Sequence, residues 1–315
     1  MNSSIKQIYG KVHTHSMNKL VVVCGPTATG KTVVAVALAK KFNGELVSAD
    51  SRQVYCGMDI GTGKDMSSLQ GIPICMYDVV RPDEPFSIFQ YQTKANECIK
   101  DIRSRKKLPI IIGGTGLYIQ SLVQTIPTSQ IKPDTELRKK LEKQTLQSLQ
   151  LIMKEECLHV WGLLNDSDRN NPHRLIRKIE IAKSGVTKIN KPKEKEYDVC
   201  WVGLTASFPD LYNRIDERVE RRVKQGMVEE VKKLLKNGYT WNLPSMSGFG
   251  YREWKEYIEG KATMEDVIKK WKFDEHGYAR RQMTWFKRNK DIYWFDISKD
   301  GFEKNIESLV RSWYT

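Results

Sequence analysis

The sequence predicts an α/β fold: a parallel sheet flanked by helices, built around a phosphate-binding P-loop and interrupted by an inserted all-helical domain. Three observations carry this. Over the first 125 residues, short apolar runs alternate with amphipathic helical patterns. The segment Gly25-Pro26-Thr27-Ala28-Thr29-Gly30-Lys31-Thr32 directly follows an apolar run and opens a helical pattern, the setting that G-x-x-x-x-G-K-[ST] requires. From about residue 126 to 195 the strand signals vanish and charged helical stretches take over.

Leu20 to Cys24 reads as a strand, Lys31 to Phe42 as a helix, and Glu45 to Ala49 as a second strand. Ile72 to Val80 reads as a further strand. Ser87 stands where it can cap a helix in which Ile88, Tyr91, Ala95, Ile99 and Ile102 share one face. Pro109 to Ile112 is a short buried strand ending at Gly113-Gly114-Thr115-Gly116. The insertion, residues 126–195, is expected to be helical over Asp134 to Glu156 and His173 to Ala182. Val199 to Leu204 returns the chain to the sheet, so that 19–125 and 196–315 form one core. A single long helix, Asn213 to Lys236, repeats Ile215, Val219, Val223, Met227 and Val231 every four residues and stops at Asn237-Gly238. A basic and aromatic segment follows to Arg288, then a strand, Ile292 to Ile297, and a closing helix. Residues 1–18 read as a disordered tail, with Met17 a candidate alternative start.

The composition, 40% hydrophobic and 29% charged over 315 residues, is that of a globular protein and excludes a disordered chain. No run approaches the length of about 18 apolar residues that a membrane-crossing helix needs, and the N-terminus has no apolar signal-peptide core. A cytoplasmic monomer with no membrane partner is expected. The six cysteines lack the C-x-x-C spacing of zinc and redox motifs, so they are expected to be free thiols in a reducing compartment. The formal charge of +14 attracts polyanions; by itself it fits a nucleic-acid partner and a merely basic surface equally.

In the P-loop, glycines let main-chain N–H groups converge on one phosphate cluster, aided by the positive end of the helix. Lys31 adds a point charge, and the Thr32 hydroxyl can ligate Mg²⁺. The motif does not say which phosphate compound binds. Kinases and ATPases usually add an acid at the end of a second apolar strand; Ile110-Ile111-Ile112 ends without one, which leaves Asp78, within its own strand, as the alternative. Asp50 ends the second parallel strand, where ligands collect. A carboxylate there can take a proton or bind Mg²⁺ through water, though a turn-forming Asp is the plain alternative. Ser51, Arg52 and Gln53 beside it can hydrogen-bond a base or a phosphate.

Six blocks then occur in order: Gly25 to Thr32; Ser48-Ala49-Asp50-Ser51-Arg52-Gln53-Val54-Tyr55 with Gly57 to Lys64; Ile111 to Tyr118; Arg214 to Val219; Gly248-Phe249-Gly250-Tyr251-Arg252; and Tyr278 to Phe286. Together they closely resemble the tRNA dimethylallyltransferase (tRNA isopentenyltransferase) family, bacterial type, over nearly the whole chain. The resemblance implies that Gly25, Pro26, Thr27, Ala28, Thr29, Gly30, Lys31 and Thr32 hold the diphosphate of dimethylallyl diphosphate, with Mg²⁺ on Thr32. It implies that Asp50 is the base for the N6 amine of an adenosine beside the anticodon, and that Lys31, Thr32 and Arg214 stabilise the departing diphosphate. It further implies that Asp50, Ser51, Arg52, Gln53, Thr115, His173, Arg174, Leu175, Ile176, Arg177, Gly248, Phe249, Gly250, Tyr251 and Arg252 contact the anticodon stem-loop of tRNA.

The chain departs from the family in three places. Cys75-Met76-Tyr77 precedes Asp78 where members often carry a His-His pair, Phe208 stands where many have an arginine, and the zinc finger of eukaryotic members is absent. Tyr278 to Lys290 mixes Arg280, Arg281, Lys287, Arg288 and Lys290 with aromatics. That mixture fits RNA, and equally an amphipathic helix with a solvated face; the resemblance assigns Arg280 and Arg281 to tRNA and the aromatics to packing. Arg218 and Arg221 are expected to pair with Glu217 and Glu220. The rival functions are a P-loop kinase or NTPase, a non-catalytic RNA-binding protein, and an enzyme that prenylates free adenine nucleotides.

Overall fold

The computed structural model describes residues 18–124, 131, 134–184 and 197–315. The expected disordered tail lies outside the described residues up to position 17, the candidate start Met17 with it. The chain divides into two compact units, 1–123 with 195–315, and 124–194. The first part of the large unit runs β1 (Lys19–Cys24), α1 (Lys31–Lys41), β2 (Gly44–Ser48), β3 (Ile74–Cys75), α2 (Ile88–Ser104), β4 (Leu108–Ile112) and α3 (Gly116–Val123). The small unit holds α4 (Thr135–Leu141), α5 (Leu146–Glu156), α6 (Leu158–Leu163), α7 (Asp166–Arg169) and α8 (Pro172–Lys183). The large unit then resumes with β5 (Asp198–Thr205), α9 (Phe208–Lys224), α10 (Met227–Lys236), α11 (Lys255–Ile258), α12 (Met264–Phe286), β6 (Tyr293–Asp296) and α13 (Phe302–Tyr314).

The sheet is parallel throughout, in the order β3-β2-β4-β1-β5-β6. Its central strands read as continuous apolar runs because helices cover both faces. Val22, Val47 and Ile111 pack on one side with Tyr91 and Ile99 of α2 and Ile119 of α3. Val21, Leu46, Ile110 and Val202 pack on the other with Val34 and Leu38 of α1 and Val310 of α13. A third core joins α9, α10 and α12 through Val219, Val231, Trp254 and Trp271. In α2, Ser87 caps as the sequence predicts, with its side chain accepting from the Gln90 amide and Gln90 returning the bond.

Three expectations are corrected. The strand read as Ile72 to Val80 is ordered as a strand only over Ile74–Cys75. Met76 and Asp78 adopt left-handed φ of 70° and 53°, which turns the chain so that the Val79 and Val80 amides bond the Val54 carbonyl instead of the sheet. Asp78 is therefore not a strand residue; it pairs with the buried ammonium of Lys64 at 2.5 Å. The long helix read as Asn213 to Lys236 is two helices. Gly226, at φ 100°, breaks it, and Ser207 caps α9 earlier than expected, accepting from the Asp210 amide. Within the insertion, Asp134 to Glu156 is likewise broken, because Thr145 caps a second helix there.

The six cysteines are free thiols. Cys75 and Cys98, distant in sequence, share a hydrogen bond across β3 and α2. No helix among the described residues is long and apolar enough to cross a membrane.

At the edge of the sheet remote from the strands' C-terminal ends, the buried carboxylate of Glu45 accepts from Arg105 and Lys107. The hydrogen bond from Arg105 is the main cause that holds its carboxyl down at about 2, from an ordinary 4.5. A depressed carboxylate stabilises the fold fully above its ordinary value and progressively less as pH falls towards its folded value. Glu45→Gln should therefore lower the urea midpoint at pH 7, and the gap to wild type should close as pH falls from about 4.5 to about 2. Equal gaps at pH 7 and pH 2.5 would remove this pair from the stability of the fold.

Candidate active site

Because β1, β2 and β4 are parallel neighbours, their C-terminal ends open on one edge, where α/β sheets gather ligands. The P-loop follows β1, Asp50 follows β2, and Gly113-Gly114 follows β4. A cleft of about 1050 Å³ opens there, lined by Lys31, Thr32, Asp50, Gly114, Arg214 and Arg218 among others.

The P-loop needs its first glycine. Gly25 has φ 136°, and a Cβ at that position would stand 2.3 Å from the Leu204 carbonyl oxygen. The loop is held from within by the Thr29 hydroxyl, which donates to the Pro26 carbonyl at 2.8 Å. Lys31 Nζ donates to the same carbonyl at 2.7 Å, so its ammonium lies under the loop rather than in solvent. Burial, and then the charge of Arg218, lowers this lysine from 10.5 to about 8, against the opposing pull of Asp50. Thr32, in the first turn of α1, is half-buried on the cleft wall.

Asp50 is half-buried. Its Oδ1 accepts from the Arg52 amide at 2.8 Å, which fixes the carboxylate at the turn. The Ser51 amide donates to Thr115 Oγ1 at 3.2 Å, tying the end of β2 to the segment after β4. Tyrosines surround the carboxylate closely enough to feel its charge: burial first, and Asp50 second or third, pushes up the hydroxyls of Tyr77, Tyr118 and Tyr278. Gln53 is engaged on both sides, accepting from Ser48 and donating to the carbonyls of Thr62 and Gly63. Arg52 donates to the Pro244 carbonyl at 2.6 Å.

From α9, Arg214 Nε donates to the Ala28 carbonyl of the P-loop at 2.9 Å, so this arginine stands at the phosphate loop. Gly248, Phe249 and Arg252 line the same cleft, with the Arg252 guanidinium 4.5 Å from the Phe249 ring centroid. Gly250 and Tyr251 are buried beneath it, and the Tyr251 hydroxyl donates to Glu230 at 2.6 Å. Arg280 and Arg281 are exposed on α12 outside the cleft lining; Arg280 donates to the Tyr212 hydroxyl at 2.6 Å. Of the aromatics read as packing, Phe286 is buried whereas Trp285 is 38% exposed. Phe208 begins α9 and stacks on Tyr212 at 5.9 Å, away from the cleft lining.

The remaining expected contacts belong to the small unit. His173 and Arg174 are exposed on α8, with Arg174 bonded to Ser167 and Asp168. Leu175 and Ile176 fill the core of that unit with Leu149, Met153 and Ile179. Arg177 is half-buried and donates to the Ile131 carbonyl.

The pairing expected within α9 is also corrected. Arg218 pairs with Glu275 of α12, and Glu220 with Lys272. The packed neighbour helix offers better partners than the helix surface itself. Arg221 stays exposed on the cleft wall.

Several site residues escaped the sequence reading. Gln282 accepts from the Thr27 amide at 2.8 Å and donates to the Gly114 carbonyl at 3.0 Å, clamping the P-loop to the turn after β4. The Glu230 carboxylate accepts from the amides of Asp59, Ile60 and Gly61, which shapes the wall facing the P-loop. The available signal was a glutamate and a glutamine, 275 and 282, on the same helical stripe as Trp271, Ala279 and Phe286. Polar residues on a buried stripe are there to bond something.

Residues 53–289 match the family model described as IPP transferase, and residues 18–82 match that of isopentenyl transferase. A tRNA dimethylallyltransferase of a Roseiflexus species is 38% identical over 302 residues, covering 94% of this chain and 99% of the relative. That of Roseiflexus castenholzii is 40% identical over 304 residues, with 94% and 98% covered. Among solved structures, the full-length tRNA isopentenylpyrophosphate transferase of Bacillus halodurans aligns with a TM-score of 0.71 at 34% identity, over 94% of this chain and 97% of that one. A eukaryotic dimethylallyltransferase acting on tRNA aligns at 0.80 and 26% identity, over 94% and 78%. With a phosphate loop, a carboxylate and two arginines converging on one cleft, and relatives matching nearly end to end, this chain belongs to the IPP transferase family.

Proposed function

We propose that this chain is a tRNA dimethylallyltransferase. It transfers the dimethylallyl group of dimethylallyl diphosphate to N6 of the adenosine immediately 3′ of the anticodon and releases diphosphate. The observation that carries the reading is the convergence of Lys31, Arg214 and Asp50 on one cleft, in a chain whose relatives are named for this transfer.

The chemistry asks for two things. The leaving diphosphate must have its charge neutralised, and a poorly nucleophilic amine must lose a proton as it attacks. The P-loop amides, Lys31 and Arg214 meet the first need. Asp50 meets the second: the Arg52 amide occupies Oδ1, leaving Oδ2 for the amine. The N6–C1 bond forms while the C1–O bond breaks; the electron pair leaves on the diphosphate and the N6 proton passes to Asp50. The adenine reaches the cleft only when drawn out of its stack, and the tyrosines around Asp50 give it an apolar bed.

The described residues hold no group of three or more His, Cys, Asp or Glu side chains that could ligate a metal. One hydroxyl, Thr32 on the cleft wall, suits a Mg²⁺ that arrives on the phosphates and keeps several waters. Such an ion would supply further neutralisation of the leaving group.

The test is incubation with Mg²⁺, labelled dimethylallyl diphosphate and unmodified tRNA, followed by digestion and detection of prenylated adenosine. Asp50→Ala should abolish product, by roughly 10²-fold or more for a lost general base, while donor binding survives. Turnover retained in this variant would remove the base assignment, and nucleoside triphosphate hydrolysis without prenyl transfer would replace the reading altogether. Lys31→Ala should weaken the donor itself. The ammonium titrates near 8 in the free protein, so wild-type affinity for inorganic diphosphate should exceed that of Lys31→Ala most below pH 8. That advantage should shrink above pH 8, and an advantage constant from pH 6.5 to 9.5 would contradict it.

A further inference from the structure

In the wall of the cleft, one buried carboxylate serves two guanidinium groups. The side chain of Glu275, on α12, is 5% exposed. It accepts from Arg218 Nη2, from Arg222 Nη1 at 3.3 Å and from the Trp271 indole at 3.0 Å. Arg222 also donates to the Gly61 carbonyl at 3.1 Å, so its role is to tie α9 to the 59–63 loop. Arg218 is held differently. Its terminal nitrogen is fixed by Glu275, its Nε makes no hydrogen bond, and it lines the cleft close enough to Lys31 to repel the ammonium charge. Two arginines against one carboxylate leave a net positive charge buried beside the P-loop. Such an excess is costly unless an anion completes it, and a buried donor without a partner is a place where a ligand oxygen fits.

We propose that Glu275 is a positioning residue for the transfer reaction: it holds Arg218 against the mutual repulsion of Arg222 and Lys31, in the place where that guanidinium meets the departing diphosphate. The inference rests on the proposed prenyl transfer for its kinetic readout. Glu275 itself touches no substrate and moves no proton. Without its charge, Arg218 has no fixed partner in this cluster and swings from its neighbours, so the cost falls on the step in which the diphosphate gathers charge rather than on RNA binding.

The experiment compares wild type, Glu275→Gln, Glu275→Asp, Arg218→Ala and the double variant Glu275→Gln with Arg218→Ala. Thermal melts establish that each is folded. Glu275→Gln, which keeps the shape, should lower kcat roughly 10- to 100-fold, the range for losing a supporting group behind a ligand-binding side chain. KM for tRNA should stay unchanged, and Glu275→Asp should recover part of the rate. In the Arg218→Ala background the same Glu275→Gln change should cost little more, because the group it positions is gone. An equal loss in both backgrounds, or an unchanged kcat, would overturn the proposal. Calorimetric binding of inorganic diphosphate gives a reading that needs no prenyl transfer. Weaker diphosphate binding in Glu275→Gln with no product from wild type would reject the transfer reaction yet keep the positioning role, and unchanged binding together with unchanged kcat would reject the role itself.

Discussion

Strand β1 pairs in parallel with β4 on one side and β5 on the other, and β4 pairs in parallel with β2. That shared direction is what makes a site possible at all. It delivers the P-loop, the Asp50 turn and the Gly113-Gly114 turn to one edge of the sheet, though they are separated by tens of residues in the chain. Strand β4 and all of β1 after Lys19 are fully buried and apolar, so the chemistry is confined to the few residues just past their ends. Hydrophobic burial sets the frame, and the polar groups are carried on its rim.

The rim is closed from the other side by α9 and α12. These two helices pack on a shared core with Val219, Trp254 and Trp271, and each turns a charged face to the cleft. Arg214 reaches the P-loop carbonyl, Gln282 clamps the loop to its neighbour, and Glu275 gathers two arginines. Most of these groups bond main-chain atoms or one another, which is how a strongly cationic wall stays ordered before any anion arrives. The same logic explains why Lys31 is titrated down: it is kept dry and near another cation, ready for a highly charged ligand.

The small unit is built on separate principles. Its helices are short, and four of the five described are begun by a side-chain cap, Asp134, Thr145, Asn165 and Asn171, around a core of its own. Glu180, buried there, holds Arg138 through two bonds at 2.6 and 2.7 Å. The polar residues His173 and Arg174 stand outside that core, while Leu175 and Ile176 complete it.

By itself the sequence determined the class of fold, the helical insertion, the phosphate loop and the acid after the second strand. Those features are local: hydrophobic period, glycine placement and cap residues act within a few positions of one another. It misjudged the strand at Ile72 to Val80 and the unity of Asn213 to Lys236, because no glycine marks the left-handed turns at Met76 and Asp78, and the apolar repeat runs on unbroken across the Gly226 turn. Tertiary structure alone decided the pairing of Arg218 with Glu275, 57 residues away, the Gln282 clamp and the Glu230 cap on the 59–61 amides. A side chain's partner across two packed helices depends on how those helices are set against each other, and no spacing along one strand of sequence contains that.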